Sequence, residues 1–181
     1  DKGLPSVYRF HGDPDEEKLA AFATVAAVHG FHLGAAGQVS SKELNAFVKQ
    51  LEGHPEQRAL NQLLLRSMMQ AVYSSENIGH FGLNLARYAH FTSPIRRYAD
   101  LIVHRALVRA LGLGKDGLTD EDVSQLRDTA ERITFAERRA MAAERDATDR
   151  YIAAFLGDRV GAEFDGRITG VTRFGLVVRL A

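Results

Sequence analysis

From Thr119 to Gly157 the chain carries its longest helical signature, and this signature limits the possible folds more than any other feature. Val123, Leu126, Ala130, Ile133, Ala140, Met141, Ala147, Tyr151 and Phe155 recur at helical spacing and form one apolar stripe. Thr119 followed by Asp120, Glu121 and Asp122 supplies a cap and an acidic first turn, at the end of a helix where the dipole favours negative charge. At 1.5 Å per residue the helix would extend roughly 55 Å if unbroken. A kink is expected near Glu137.

Four shorter helices are predicted ahead of it. Asp13 caps the first, with Pro14 in its first position, Glu16 completing a capping box, an inner face of Leu19, Phe22, Ala23 and Ala26, and a stop at Gly30. A Gly-rich loop from Gly34 to Gln38 follows. Ser40 or Ser41 then caps a second helix bearing Leu44, Phe47, Val48 and Leu51 and closed by Gly53. Pro55 opens a third, with Leu60, Leu63, Leu64, Met68 and Val72 facing a core. Phe81, Leu83 and Leu85 alternate with Gly82 and Asn84, which predicts an extended segment. The fourth helix starts at Pro94 and ends at Gly112 and Gly114. Beyond Gly157, Val160, Phe164, Ile168 and Val171 are separated by glycines and followed by Phe174-Gly175-Leu176-Val177-Val178, which predicts two strands and a turn. The expected fold class is α+β, predominantly helical over residues 1–157, with a strand-forming region over 158–181. An isolated hairpin is marginal in water and the first residue is Asp1, so the sequence is expected to be an excerpt of a longer protein.

Composition removes several chemistries. With no cysteine, disulfides, thiol catalysis and cysteine-ligated zinc are excluded, which fits a reducing cytoplasm. No stretch approaches the ~18 apolar residues of a membrane span. Lys plus Arg balances Asp plus Glu at 23 each, so a generic basic polyanion binder is not indicated. The charges are nevertheless segregated. Six basic residues and one acid lie between Arg87 and Lys115, whereas thirteen acids and seven bases lie between Asp116 and Asp165. That distribution fits a local positive field and, equally, solvated helix faces that happen to differ.

The stretch His90-Phe91-Thr92-Ser93-Pro94-Ile95-Arg96-Arg97-Tyr98-Ala99-Asp100 carries the chemistry. Ser93 or Thr92 as cap and Pro94 at the first position would put Arg96 and Arg97 in the first helical turn, the wrong end for cations. A bound anion would remove that conflict, because backbone N–H groups and guanidinium forks together make a phosphate site. Helical spacing puts Arg96, Asp100 and His104 along one face, with Asp100 placed to hold Arg96. The alternative is a surface salt bridge serving no ligand. Phe81, Tyr88, Phe91 and Tyr98 are open to two readings, stacking on bases or filling a core. His80 and His90 lack a third partner for zinc.

HFTSPIRRYADLIVHR, with LLRSMMQAVYSSENIGHFGLNLARYAHF before it and ERRAMAAERDATDRY after it, resembles the catalytic RNB domain of bacterial ribonuclease R and ribonuclease II. The tail VGAEFDGRITGVTRFGLVVRL is similar to the opening of the OB-fold RNA-binding domain that follows in those enzymes. The likeness covers essentially the whole chain, and around Ile78-Gly79-His80-Phe81-Gly82 it is closer to the ribonuclease R branch. It divides the chain into the C-terminal part of an RNB domain, 1–157, and the first strands of an OB-fold β-barrel, 158–181.

The resemblance implies a magnesium-dependent, processive hydrolase that removes nucleoside 5′-monophosphates from the single-stranded 3′ end of RNA, as a cytoplasmic monomer with no membrane association. It puts the arginine that contacts the scissile phosphate at Arg96. It makes His90, Ser93, Arg97, Tyr98 and Asp100 supporting or channel-lining residues, and it points to Glu144 in the ERD segment and Phe174 in the OB opening as RNA contacts. Phe164 stays open between RNA contact and core. The family's metal-binding aspartates lie upstream of this segment. The run Asp13-Pro14-Asp15-Glu16-Glu17 is explained as a cap and acidic first turn. The segment is therefore expected to supply the phosphate-gripping half of a site without its metal half and to be inactive alone. The other reading is a degenerate RNB module that grips RNA without cutting it.

Overall fold

The computed structural model describes residues 4–34 and 39–180, so most of the predicted Gly34–Gln38 loop lies outside the described residues. The chain divides into two compact units, Asp1–Ala136 and Glu137–Ala181. The fold is α+β and predominantly helical.

In the first unit, strand β1 (Tyr8–Phe10) pairs antiparallel with β2 (Val72–Ser74). Helices α1 (Glu16–Val28), α2 (Ser41–Gln50) and α3 (Gln57–Ser67) lie between them in sequence. The cap of α1 is Asp15, two residues later than Asp13, and its carboxylate accepts the Lys18 N–H at 3.1 Å. The shift has a tertiary cause: the Asp15 N–H donates to Ser67 O at the end of α3, which fixes where α1 can start. Ser40, not Ser41, caps α2 in a full capping box with Glu43, while the Ser41 hydroxyl donates to Phe81 O. Leu19, Phe22, Ala26, Leu44, Phe47, Leu51, Leu60 and Leu64 close one core around the edge-to-face pair Phe22–Phe47, whose centroids are 5.4 Å apart. Each of the Leu and Phe side chains contributes about 1.5–3 kcal/mol when fully buried. Val72, expected on the third helix, belongs instead to β2, because α3 ends at Ser67 and Met68 turns extended.

Helix α4 (Tyr98–Leu111) stands in a second core. Its Ala99, Ile102 and Ala106 meet Val7, Tyr73, Leu118, Leu126 and Ala130. The Tyr73 N–H donates to Thr134 Oγ1 at 2.9 Å, which ties β2 to this core. The predicted cap at Thr119 and its acidic first turn are present, with Asp122 closing a capping box, but they open only the short helix α5 (Asp120–Ser124). The long helix α6 follows as Leu126–Gly157 and runs through Glu137 without a break. Of the predicted stripe only Leu126 and Ala130 are buried, together with Thr134, while its residues from Ala140 onward are exposed.

In the second unit Met141, Tyr151 and Phe155 of α6 are exposed, and the Arg159 guanidinium lies over the Phe155 ring at 4.1 Å. Strands β3 (Gly166–Thr172) and β4 (Gly175–Leu180) form an antiparallel hairpin with a bulge between Ile168 and Gly170. The tip needs Gly175, whose φ of +132° is closed to ordinary side chains. Val160 and Phe164 precede the ladder in turn and coil. No helix among the described residues is long and apolar enough to cross a membrane.

Candidate functional site

Helix α4 grips the chain that leads into it. The expected helix start at Pro94 is not observed. Pro94, Ile95 and Arg96 form a separate turn closed by Ser93 O, which accepts the N–H groups of Arg96 at 3.2 Å and Arg97 at 3.0 Å. Arg97 is then the extended N-cap of α4, at φ −124° and ψ 110°. The cause is Asp100, whose carboxylate reaches back to the Ser93 N–H at 2.7 Å and so folds the loop over instead of letting it continue as helix.

Asp100 also takes Arg97 Nη2 at 3.0 Å. The predicted pair of Arg96 with Asp100 is therefore replaced by Arg97 with Asp100, because the break before Tyr98 rotates Arg96 off the helix face. The Asp100 side chain is 0% exposed. Burial by itself would raise its pKa. The Ser93 N–H, the hydrogen bond and charge of Arg97, and the nearby His90 outweigh that and hold the carboxyl below its ordinary 3.8. The Arg97–Asp100 fork is half closed: Arg97 Nε and Asp100 Oδ1 are buried with no partner among the described residues.

One helical turn on, His104 Nε2 lies 2.8 Å from Phe91 O, and its ring stacks on Phe91 at 4.2 Å between centroids and 9° between planes. A carbonyl only accepts, so Nε2 carries the proton. Sequence reasoning placed His104 on the Asp100 face but missed its partner, which only the fold of the loop reveals. It also missed an array of rings behind the loop. The Arg9 guanidinium sits 4.5 Å over Tyr73, Tyr73 Oη is 2.9 Å from His90 Nδ1, and Tyr88 meets both His90 and His80 edge-on. His80 in turn stacks on His11 at 5.0 Å.

The predicted extended segment at Phe81–Leu85 is instead a 3₁₀ turn over Phe81–Leu83 with Asn84 left-handed. Two imidazoles hold it: His11 Nδ1 accepts the Gly82 N–H at 3.0 Å and His80 Nδ1 that of Leu83 at 3.2 Å. Burial, followed by the charges of His11 and Arg9, pushes His80 below its ordinary 6.5.

Three of the six basic residues in the stretch are paired with acids. Arg97 pairs with Asp100, Arg105 with Asp122 at 2.8 Å, and Arg109 with Asp120. Thus the acids that follow the basic stretch in sequence cancel part of it in space. Arg96 is different: it is exposed, and its side chain makes no hydrogen bond or ion pair to any described residue. It stands beside a fully exposed Ile95 and a half-exposed Tyr98. An unpaired guanidinium on a locked turn offers a rigid fork of donors suited to phosphoryl oxygens.

Ser93, Arg96, Arg97, Tyr98 and Asp100 are thus brought together at one loop–helix junction, with His90 three residues before Ser93 bound to Tyr73. Glu144 and Phe174 lie in the second unit. Glu144 is exposed on α6, and Phe174 is 85% exposed at the hairpin tip with Arg173 over its ring at 4.5 Å. No group of three or more His, Asp or Glu side chains that could hold a metal ion exists among the described residues. These residues therefore do not fit a magnesium site by themselves.

A family model described as the RNB domain matches residues 1–112. The chain is 43% identical over 181 residues to Ribonuclease R 1 of Lactococcus lactis, covering 98% of this chain and 22% of that protein. Among solved structures it is similar to Mycoplasma genitalium RNase R in complex with ribose-methylated single-stranded RNA, with a TM-score of 0.87, 29% identity and coverage of 98% of this chain and 28% of that one. It is also similar to yeast Ssd1, a pseudonuclease, with a TM-score of 0.61, 29% identity and coverage of 74% and 16%. The chain spans between a fifth and a quarter of the curated relatives' length, 22% and 25% of two of them.

Proposed function

Because the chain belongs to the RNB domain family, we propose that the protein carrying it is a hydrolytic 3′-to-5′ exoribonuclease in which Arg96 grips the scissile phosphate of single-stranded RNA. The observation that carries this reading is the pairing pattern at the junction. Arg97 is consumed by a buried carboxylate, and the side chain of Arg96, next to it, has no hydrogen-bond or ion-pair partner among the described residues. At this junction the cation that serves the fold, Arg97, is the one paired with a carboxylate. A free one on a fixed backbone is preorganised for charge that develops on phosphoryl oxygens, where such a donor acts without reorganisation.

In this reading Arg97 and Asp100 set the turn, Tyr98 presents an exposed ring beside the phosphate, and His90 fixes the Tyr73–Tyr88 array behind it. The β3–β4 hairpin is the opening of an OB-fold barrel, with residues 158–181 as its share and Phe174 as a ring for base stacking. Glu144 would contact the terminal nucleotide. Magnesium, which would activate water and neutralise phosphate charge, belongs to the proposal through carboxylates that the described residues do not supply. The chemistry of this segment is therefore confined to gripping and charge stabilisation. The products would be nucleoside 5′-monophosphates, and the enzyme a cytoplasmic monomer.

A second reading is a protein that binds RNA without cutting it, favoured by the similarity to yeast Ssd1, a pseudonuclease. Single-turnover digestion of end-labelled single-stranded RNA by the full-length protein separates the two. Cleavage with monophosphate products supports the enzyme, and tight binding without cleavage supports the second reading. Arg96→Ala should lower the cleavage rate about 10²- to 10³-fold while affecting RNA affinity far less. A variant that cuts at the wild-type rate would remove Arg96 from the chemistry.

A further inference from the structure

Two side chains one turn apart on α4 hold the two ends of a three-residue span. Asp100 binds the Ser93 N–H at 2.7 Å, and His104 binds Phe91 O at 2.8 Å. Only Thr92 separates the two anchored residues. Next in line, the N–H groups of Arg96 and Arg97 donate to Ser93 O. The backbone under Arg96 is therefore fixed by a short relay: His104 to Phe91, then Ser93, then the turn. The Arg96 side chain makes no hydrogen bond or ion pair of its own to a described residue, so a tilt of that relay passes on to the guanidinium.

We infer that His104 is a positioning residue for Arg96, acting through its combined hydrogen bond and ring stack on Phe91. Both contacts are needed for the inference. A hydrogen bond alone would let residue 91 swing about the donor, and a stack alone would let it slide. With 9° between the planes and a fixed Nε2–H donor, both freedoms are removed. Phe91 is 47% exposed, so burial does not hold it, and His104 is its only ring partner among the described residues. The inference rests on the proposed role of Arg96 and adds the residue that sets its place.

The test is a double-mutant cycle in the full-length protein, read by single-turnover cleavage of single-stranded RNA. His104→Ala should lower the cleavage rate about 10- to 100-fold, the range set by small misplacements of a catalytic group, with RNA affinity changed less than threefold. In an Arg96→Ala background the same substitution should cost almost nothing, because its effect passes through Arg96. His104→Gln, which keeps an amide donor and loses the stack, should recover part of the rate and serves as the probe if the alanine variant does not fold. Equal losses in both backgrounds would overturn the inference and leave His104 a structural residue. An Arg96→Ala protein that cuts normally would instead overturn the proposed function, so the two failures are distinct.

Discussion

Asp100→Ala removes the carboxylate that folds the entry loop onto α4. In the native protein this fully buried group accepts from Ser93 at 2.7 Å and from Arg97 at 3.0 Å. Its loss strands the part-buried Ser93 N–H, at the lower end of the about 1–3 kcal/mol of an unsatisfied donor. It also leaves the Arg97 guanidinium without its counter-charge. Breaking a buried ion pair costs about 3–5 kcal/mol, but the Arg97 side chain is 25% exposed and water can replace part of its partner. Together these place the local destabilisation at about 2–4 kcal/mol. Hydrogen exchange on the full-length protein reads it directly, since the Arg96 and Arg97 amides are bonded to Ser93 O. A penalty of that size lowers their protection about 30- to 1,000-fold, or to the unprotected rate if that is reached first. Asp100→Asn keeps an acceptor for Ser93 and should lose less. The pH dependence has a defined sign. A carboxyl held below 3.8 stabilises the fold fully above that pH, and the contribution disappears as pH falls through its lower folded value. If the two amides exchange in Asp100→Ala as they do in wild type, the carboxylate does not hold the loop and the account of the junction is wrong.

Two other perturbations follow from the same geometry. His80 sits below 6.5 in the folded protein, so the folded state resists the proton that the unfolded chain accepts, and stability should decline as pH drops below 6.5. His80→Asn keeps an acceptor for the Leu83 N–H and does not titrate, so its melting temperature should fall less between pH 7 and 5, and an unchanged slope would refute the assignment. Gly117→Ala puts a Cβ 2.8 Å from the N, Cα and Cβ atoms of Arg109 in the last turn of α4. Because backbone must move, a cost of about 1–3 kcal/mol is expected in thermal unfolding, and a wild-type melting temperature would show that the approach relaxes freely.

What the sequence disclosed and what it concealed divide by range. The cap at Thr119, the choice of Ser40 or Ser41 for α2, and most of the buried faces of α1 to α3 were legible because caps and helical periodicity act within four residues, although Leu63, expected in the core, is exposed. The α1 cap moved from Asp13 to Asp15 because a partner more than fifty residues away, Ser67, fixes the start. Strands β1 and β2 have three residues each, too few for alternation to register, and their pairing joins Tyr8 to Ser74. The apolar alternation at Phe81–Leu85 looked extended because the imidazole acceptors that curl it belong partly to His11, seventy-one positions away from Gly82. At the junction, the residues that matter were readable and their partnership was not. Spacing favoured Arg96 with Asp100, whereas a backbone break imposed by Asp100 itself handed that role to Arg97.

The junction has a further consequence for how the protein acquires it. Its three defining contacts link residues only 3, 7 and 13 positions apart. Closing loops this short carries little entropy cost, and native contacts of low sequence separation form early. The arm bearing Arg96 can therefore set as soon as α4 winds, ahead of contacts that span longer stretches of the chain, and in the proposed enzyme the grip on phosphate would be in place before the rest of the site is built around it.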